Sequence, residues 1–409
     1  MAQIAPFNAL RPQAQFAKQV ASLPYDVLNR KEARELVRGV PYSFLHITKA
    51  EIDLPETVDI HDEKVYEKAK ENLQTFIQRE ILFRESKACY YIYQLTMNGR
   101  SQTGLVCTSS VDDYENNIIK KHEHTRPEKE QDRIRHITTT GAQTGNVFLA
   151  YRNVAEIDAL IEKWKKDKKP VYEFVAEDSI EHTLWVINDD KTIDLITKIF
   201  SEKVECTYIA DGHHRAASAG KVRLTAAGDA EGANYFLTTL FPASQLKILD
   251  YNRVVKSLND IGEEDFLKRV GEKFEIEAMN SAVQPEQLHE FGMYLSGRWY
   301  RLIAREGTFG NDPIGVLDVT ILQNNLLAPI LDIEDPRTDN RIDFIGGIRG
   351  LSELEKRVNS GEMKVAFSMY PVSIQQLFEI ADSGSVMPPK STWFEPKLRD
   401  GLLTHLIDD

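Results

Sequence analysis

The chain has 409 residues, 42% hydrophobic and 28% charged, which is long enough for two or three domains of a soluble globular protein. It carries neither an apolar run of about 18 residues nor a basic start followed by an apolar segment, so no membrane partner is expected and the location read from the sequence is cytoplasmic. With 50 basic and 63 acidic residues the net charge is −13, which opposes attraction to a phosphate backbone and disfavours nucleic acid as a partner, while leaving room for a local basic pocket.

In chain order, the first sixty residues read as loop-rich, with the kinked turn "LPYDV" and a helix from about Arg30 to Arg38. From Asp62 to Ile81 the apolar residues Val65, Ala69, Leu73, Phe76 and Ile77 recur every three or four positions and mark a helix with one buried face. "ACYYIYQLTMNGRSQTGLVCTSS" holds two β-rich runs around Asn98-Gly99, the dipeptide best suited to a tight hairpin turn. A polar loop, a charged helix opening near Pro127 and the strand "NVFLAY" follow. Next come a helix over 156–168, strands near 171–176 and 183–187, and a helix near 191–201. "CTYIA" reads as a strand leading into the alanine-rich helix "HHRAASAGKVRLTAAG", and "NYFLTTLFPASQLKILDYNRVV" as two buried strands. The last third offers a helix after Ser257, the hairpin candidate "FGMYLSGRWYRLIA", a helix over 318–328, the paired stretch "EKRVNSGEMKVAFSMYPVSIQQLFEIADSG" and the irregular end "MPPKSTWFEPKLRDGLL". The three cysteines, Cys89, Cys107 and Cys206, form no C-x-x-C pair and read as reduced core residues.

The stretch "YIADGHHRAASA" concentrates candidate chemistry. Asp211 can cap the helix that begins there, and His213, His214 and Arg215 then fall in its first turn. Backbone N–H groups there lack partners and carry partial positive charge, so basic side chains cost from a few tenths to about 1 kcal/mol each. A bound anion would reverse that cost: Gly212 would allow close backbone approach, Arg215 could grip two oxygens and the histidines could donate hydrogen bonds. The competing reading makes Asp211 a simple cap, Arg215 a solvated charge and one histidine a core residue.

A second constellation, "KKHEHTRPEKEQDR", places Lys121, His122, Glu123, His124 and Arg126 before a helix start. Glu123, flanked by basic groups, would stay ionised and could take a proton from a hydroxyl, while its neighbours hold phosphate. A solvated polar loop is the plainer alternative. His122 and His124 could instead join Asp211 and one of the paired histidines around a metal ion, although adjacent residues of a helix point about 100° apart, so His213 and His214 would not share one ion. Asp26, Arg253, Arg349 and Lys390 are further candidates, the last two as partners for a substrate carboxylate. No Walker, Rossmann, zinc-protease or nucleophile-elbow motif occurs.

Taken as a set, "RPQAQFAKQVASLPYDVLNRKEA", "SFLHITKAEIDLP", "KHEHT", "YIADGHHRAASA", "DPRTDNRIDFIGG" and "PPKSTWFEPKLRDGLL" resemble the domain-of-unknown-function family numbered 1015 along nearly the whole chain. The strand-D-G-H-H-R-helix unit also resembles the phosphate-binding turn of the ParB/sulfiredoxin superfamily, whose small-molecule branch includes free serine kinases. The resemblance implies an α+β fold: a ParB/sulfiredoxin-like mixed-sheet core with large insertions over residues 1–256 and a C-terminal α+β domain over 257–409. It implies a phosphotransferase making O-phospho-L-serine from ATP, ADP or pyrophosphate, with magnesium as the expected ion. Asp211, Gly212, His213, His214, Arg215, Lys121 and Arg126 would hold phosphate. Chosen on the chemistry of the residues and not by alignment with those kinases, Glu123, His213 and Asp26 would act in catalysis, and Arg253, Arg349 and Lys390 would bind the amino acid. Asn252 stands where relatives are expected to carry histidine. A homodimer is compatible with this reading, and a ParB-like DNA-associated regulator or a metal-dependent phosphatase remain its rivals.

Overall fold

The structure, a computed structural model, describes residues 1–225 and 231–407; the last residues of the expected alanine-rich helix, 226–228, lie outside them. The chain divides into two compact units, residues 1–246 with 396–409, and residues 247–395.

The first unit is built on a mixed sheet. In chain order its main elements are β1 (Ile4–Ala5), α1 (Arg30–Leu36), α2 (Glu63–Gln78), β2 (Tyr90–Met97), β3 (Arg100–Ser110), β4 (Ile119–Lys120), α3 (Pro127–Thr140), β5 (Val147–Tyr151), α4 (Ala155–Asp167), β6 (Tyr172–Val175), β7 (Glu181–Ile187), α5 (Asp190–Lys203), β8 (Thr207–Asp211), α6 (His213–Thr225) and β9 (Tyr235–Pro242). The sheet runs β4-β8-β5-β9-β3-β2-β7-β6, with β1 added to β3. Only β4 with β8 and β5 with β9 pair in parallel; the other neighbours are antiparallel. Leu105, Leu149, Ile157, Ile196, Phe200 and Leu240 form one continuous core in this unit.

Local chemistry accounts for most of these elements. Asn98 and Gly99 take φ of 51° and 76°, the left-handed pair that a two-residue hairpin turn needs. Asp62 caps α2 by accepting the Lys64 N–H at 3.0 Å, and Val65, Ala69, Leu73 and Phe76 are its buried face. Asn29 and Glu32 close a reciprocal capping box on α1. In α6 the small residues Ala216, Ser218 and Ala219 are buried. Ser218 Oγ reaches the Glu130 carbonyl of α3 at 3.2 Å, so the two helices lie close together.

The second unit contains an antiparallel six-stranded sheet. Its main elements are β10 (Tyr251–Val255), α7 (Glu263–Lys273), β11 (Phe274–Met279), β12 (Glu290–Leu295), β13 (Arg298–Ala304), α8 (Asp318–Leu322), β14 (Ile342–Gly346), α9 (Leu351–Asn359), β15 (Val365–Met369) and α10 (Ile374–Asp382). The sheet runs β11-β13-β12-β15-β10-β14. The helix expected over 318–328 is α-helical only to Leu322 and continues as a π-helical turn over Gln323–Leu327. There the side-chain amides of Gln323 and Asn325 bond the Ile333 and Thr308 carbonyls, at 2.7 and 3.1 Å.

Two features differ from the expected domain organisation. β10, placed at the end of the first domain by the sequence, pairs with β14 and β15 and belongs to the second unit. The last fourteen residues return to the first unit: Asp400 bridges Ser22, Thr404 bridges Leu10, and His405–Leu406 pairs with Ala142–Gln143. Backbone pairing, which sequence composition does not encode, decides both. Among the described residues no helix is long and apolar enough to cross a membrane.

Candidate active site

β8 carries a bulge at Ala210, where the register against β5 slips between Ile209 and Asp211. The strand end is thereby re-aimed just before α6 begins. Gly212 follows with φ of 100°, a conformation that suits glycine. A Cβ there would also stand 3.1 Å from Arg215 Nε and 3.2 Å from its Cζ. A Cβ on Gly145 would meet the same side chain's Cδ at 3.0 Å. The two glycines form a slot for Arg215.

Arg215 is 7% exposed and its charge is matched. Its Nη1 donates to the Asn146 carbonyl, and its Nη2 lies 3.5 Å from Asp211 Oδ2 and 3.6 Å from Asp26 Oδ2. Lys397, from the returning tail, approaches Asp211 Oδ2 at 3.4 Å. Burial raises the Asp211 pKa, but Lys397 and Arg215 beside it outweigh that effect and hold it at about 2.

The short parallel pairing of β4 with β8 brings the two constellations together. Beyond β4 the chain runs past the start of α6, and the His122 and His213 rings meet edge to face with centroids 4.5 Å apart. The His122 N–H donates to His213 Nε2 at 3.5 Å, so the His213 proton sits on Nδ1, which faces Glu123 Oε2 at 3.7 Å. The Arg126 N–H donates to His214 Nε2 at 2.9 Å, which fixes His214 in the same way. Burial, then the nearby His122, pushes His213 well below its ordinary pKa; burial, with Lys129 and Arg126, pushes His214 down to about 4.

The expected cost of three cations in a first helical turn is therefore absent. Both histidines are neutral acceptors of backbone N–H groups, and only Arg215 is charged. His122 is also neutral, its pKa lowered by burial to about 4. Among the described residues no group of three or more His, Cys, Asp or Glu side chains is arranged to hold a metal ion.

Other expected residues sit less centrally. Lys121 lies over the Tyr114 ring at 3.9 Å, and Arg126 meets His214 through its backbone N–H and through the charge that helps lower the His214 pKa. Arg253, Arg349 and Lys390 belong to the second unit. There Arg253 is buried, gives Nη1 to the Tyr251 carbonyl and Nη2 to the Lys390 carbonyl, and is pushed down to about 10 by that burial. Arg349 and Lys390 are exposed. Asn252 is fully buried and occupied, its amide shared between Asp250 and the Met369 N–H.

Sequence reasoning missed Lys397, Asp400, Arg133 and Tyr25. Arg133 lies over the Tyr25 ring at 3.8 Å and pairs with Asp132 at 2.6 Å. Asp400 is 2% exposed, with the Asn146 backbone N–H beside its carboxyl group. The available signals were the charged residues Lys397, Arg399 and Asp400 close together near the end of the chain, and the presence of Tyr25 and Arg133 in the polar stretches "LPYDV" and "KKHEHTRPEKEQDR".

Burial pushes Asp400 up to about 7, with Asp26 adding to that effect while Arg215 and Arg133 pull the other way. A carboxyl that holds its proton more tightly when folded makes stability fall as pH rises from about 4 to about 7. Asp400→Asn removes that loss. The variant is expected to gain on the order of 3 kcal/mol more over the parent at pH 8 than at pH 5, as read from urea unfolding at the two pH values.

The family model described as "Protein of unknown function (DUF1015)" matches residues 4–320. The chain belongs to this family. No curated protein matches it. Among solved structures it is similar to a mutant free serine kinase in complex with AMP, at 14% identity and TM-score 0.37, over 73% of this chain and 92% of that one. It is also similar to a conserved hypothetical protein from Pyrococcus furiosus (14%, 0.37, 74% and 95%) and to SbnI with a C-terminal truncation from Staphylococcus aureus (11%, 0.39, 74% and 87%).

Proposed function

We propose that this member of the family is a small-molecule phosphotransferase, moving a terminal phosphoryl group from ATP, ADP or pyrophosphate to the hydroxyl of free L-serine. The observation that carries this reading is the convergence at the start of α6. The left-handed Gly212 opens the first-turn N–H groups to an anion. Lys397 adds a cation, and the half-exposed Glu123 carboxylate stands beside the neutral His213. Arg215 serves as the buried post that keeps Asp211 and Asp26 in place.

In this reading the serine oxygen attacks the terminal phosphorus as the bond to the bridging oxygen breaks. The bridging oxygen leaves with the electron pair on ADP, AMP or phosphate, and the hydroxyl proton passes to Glu123. Such chemistry needs positioning and charge neutralisation above all. Magnesium bound to donor phosphates requires only one or two protein carboxylates. Asp211, ionised and 31% exposed, fits that role, and the ion would neutralise phosphate charge. The same reading takes the first unit as a ParB/sulfiredoxin-like core.

The test is phosphorus NMR of the purified chain with serine and magnesium, each donor supplied separately. O-phosphoserine should appear with at least one donor. Its absence with all three, in folded protein, overturns the proposal.

A further inference from the structure

The loop that carries Glu123 is tied at its far end to α3 and α6 through one carboxylate. Glu130 lies in the first turn of α3, where an acidic side chain ordinarily stays in water beside the positive helix end. Here it is 6% exposed. One oxygen, Oε1, accepts from Thr125 Oγ1, and the other, Oε2, pairs with Lys221 Nζ on α6. Burial raises the Glu130 pKa, but the hydrogen bonds from Lys221 and Thr125 outweigh that effect and hold it below the usual carboxylate range. Its backbone joins in. The N–H donates to the Arg126 carbonyl at 3.1 Å, and the carbonyl accepts from Ser218 Oγ at 3.2 Å.

Arg126 gives α3 no side-chain cap. The chain is fixed there by the Thr125 hydroxyl on Glu130 and by the Arg126 N–H on His214 Nε2. On the other side of Glu123, the His122 N–H reaches His213 Nε2. Glu123 thus sits between two anchored flanks, with its carboxylate 3.7 Å from His213 Nδ1. Helix packing alone does not call for a buried charge at position 130, since an apolar side chain of similar size would pack without the cost of leaving water. What the carboxylate adds is direction: charge-assisted hydrogen bonds to the loop on one side and to α6 on the other.

We propose that Glu130 is a positioning residue for Glu123, fixing the loop over 121–126 against α6 through Thr125 so that the Glu123 carboxylate is held at the acceptor hydroxyl. This deepens, and rests on, the reading of Glu123 as the base of a phosphotransferase. Glu130 acts through Thr125 and is assigned no contact with donor or acceptor. Its loss therefore bears on turnover rather than on donor binding, because a base displaced from its proton slows the reacting step while the first turn of α6 is left in place.

The test takes two measurements on the full chain: steady-state kcat and donor KM with serine, magnesium and each of ATP, ADP and pyrophosphate, and backbone hydrogen exchange over 121–126 by mass spectrometry without substrates. Thr125→Val and Glu130→Gln should each lower kcat by about tenfold or more, with donor KM within about twofold of the parent. In both variants exchange over 121–126 should quicken by about fivefold or more. Thr125→Ser, which keeps the hydroxyl, should restore both values. Ser218→Ala removes a hydrogen bond between α6 and α3 without touching the carboxylate, and should leave kcat near that of the parent. Near-UV circular dichroism certifies each fold, and the half-buried Thr125 carries the test if Glu130→Gln fails to fold. Unchanged kcat or unchanged exchange in Thr125→Val overturns the assignment. So does a loss of kcat in Ser218→Ala as large as that in Thr125→Val, which would make the effect one of helix packing. Quickened exchange in these variants of a parent that forms no phosphoserine keeps the anchor and removes the reaction.

Discussion

Arg215→Ala is expected to lower the unfolding free energy by about 3 kcal/mol or more at pH 8, because it removes the shared partner of several acids at once. Asp211 and Asp26 lose the guanidinium between them, and the slot between Gly145 and Gly212 becomes a void. Asp400 loses one of the two cations that pull its pKa down, so in the variant it stays protonated beyond pH 7. At pH 5 Asp400 is protonated with or without Arg215, so its interaction with the guanidinium is absent from both proteins. The loss should therefore be smaller at pH 5 than at pH 8. Urea unfolding at both pH values reads the difference. A loss below about 1 kcal/mol at pH 8 would mean that Arg215 acts as a solvated charge and not as the buried post of the site.

Glu123→Gln keeps the shape of the side chain and removes its basicity. Turnover with serine should fall by about a hundredfold or more, with donor affinity little changed. The neutral His213, with its Nδ1 toward this carboxylate, positions it without competing for the proton. Steady-state rates at saturating donor and serine, beside a separate donor titration, make the check. Turnover within about threefold of the parent would assign the proton to another group, and Asp26, at 3.6 Å from Arg215, is the next carboxylate to replace.

The folded chain reverses what the sequence alone suggested about the three basic residues at the start of α6. Read as letters, His213, His214 and Arg215 are three cations opposing a helix dipole. Folded, the histidines are neutral because burial disfavours their charged forms and because each accepts a backbone N–H. Arg215, expected to face a ligand's oxygens, is instead bound to Asn146, Asp211 and Asp26. Protonation state follows from burial and partners, and neither is written in a residue type.

What the sequence determined by itself is local. Asn98-Gly99 could only turn a hairpin, the 62–81 periodicity could only bury one helical face, and the strand–Asp-Gly–helix unit was legible because each part depends on neighbours a few residues away. The motif around Glu123 was visible as a polar cluster, but its meeting with His213 depends on β4 pairing in parallel with a strand some ninety residues later. Only the tertiary structure decided that the tail returns Lys397 and Asp400 to the first unit, that β10 pairs within the second, and that Arg133 and Tyr25 border a cleft. The reason is physical: hairpin turns, caps and amphipathic faces are settled by short-range sterics and burial patterns. Long-range strand pairing is chosen by the whole core at once, and with it which charges are taken out of water together.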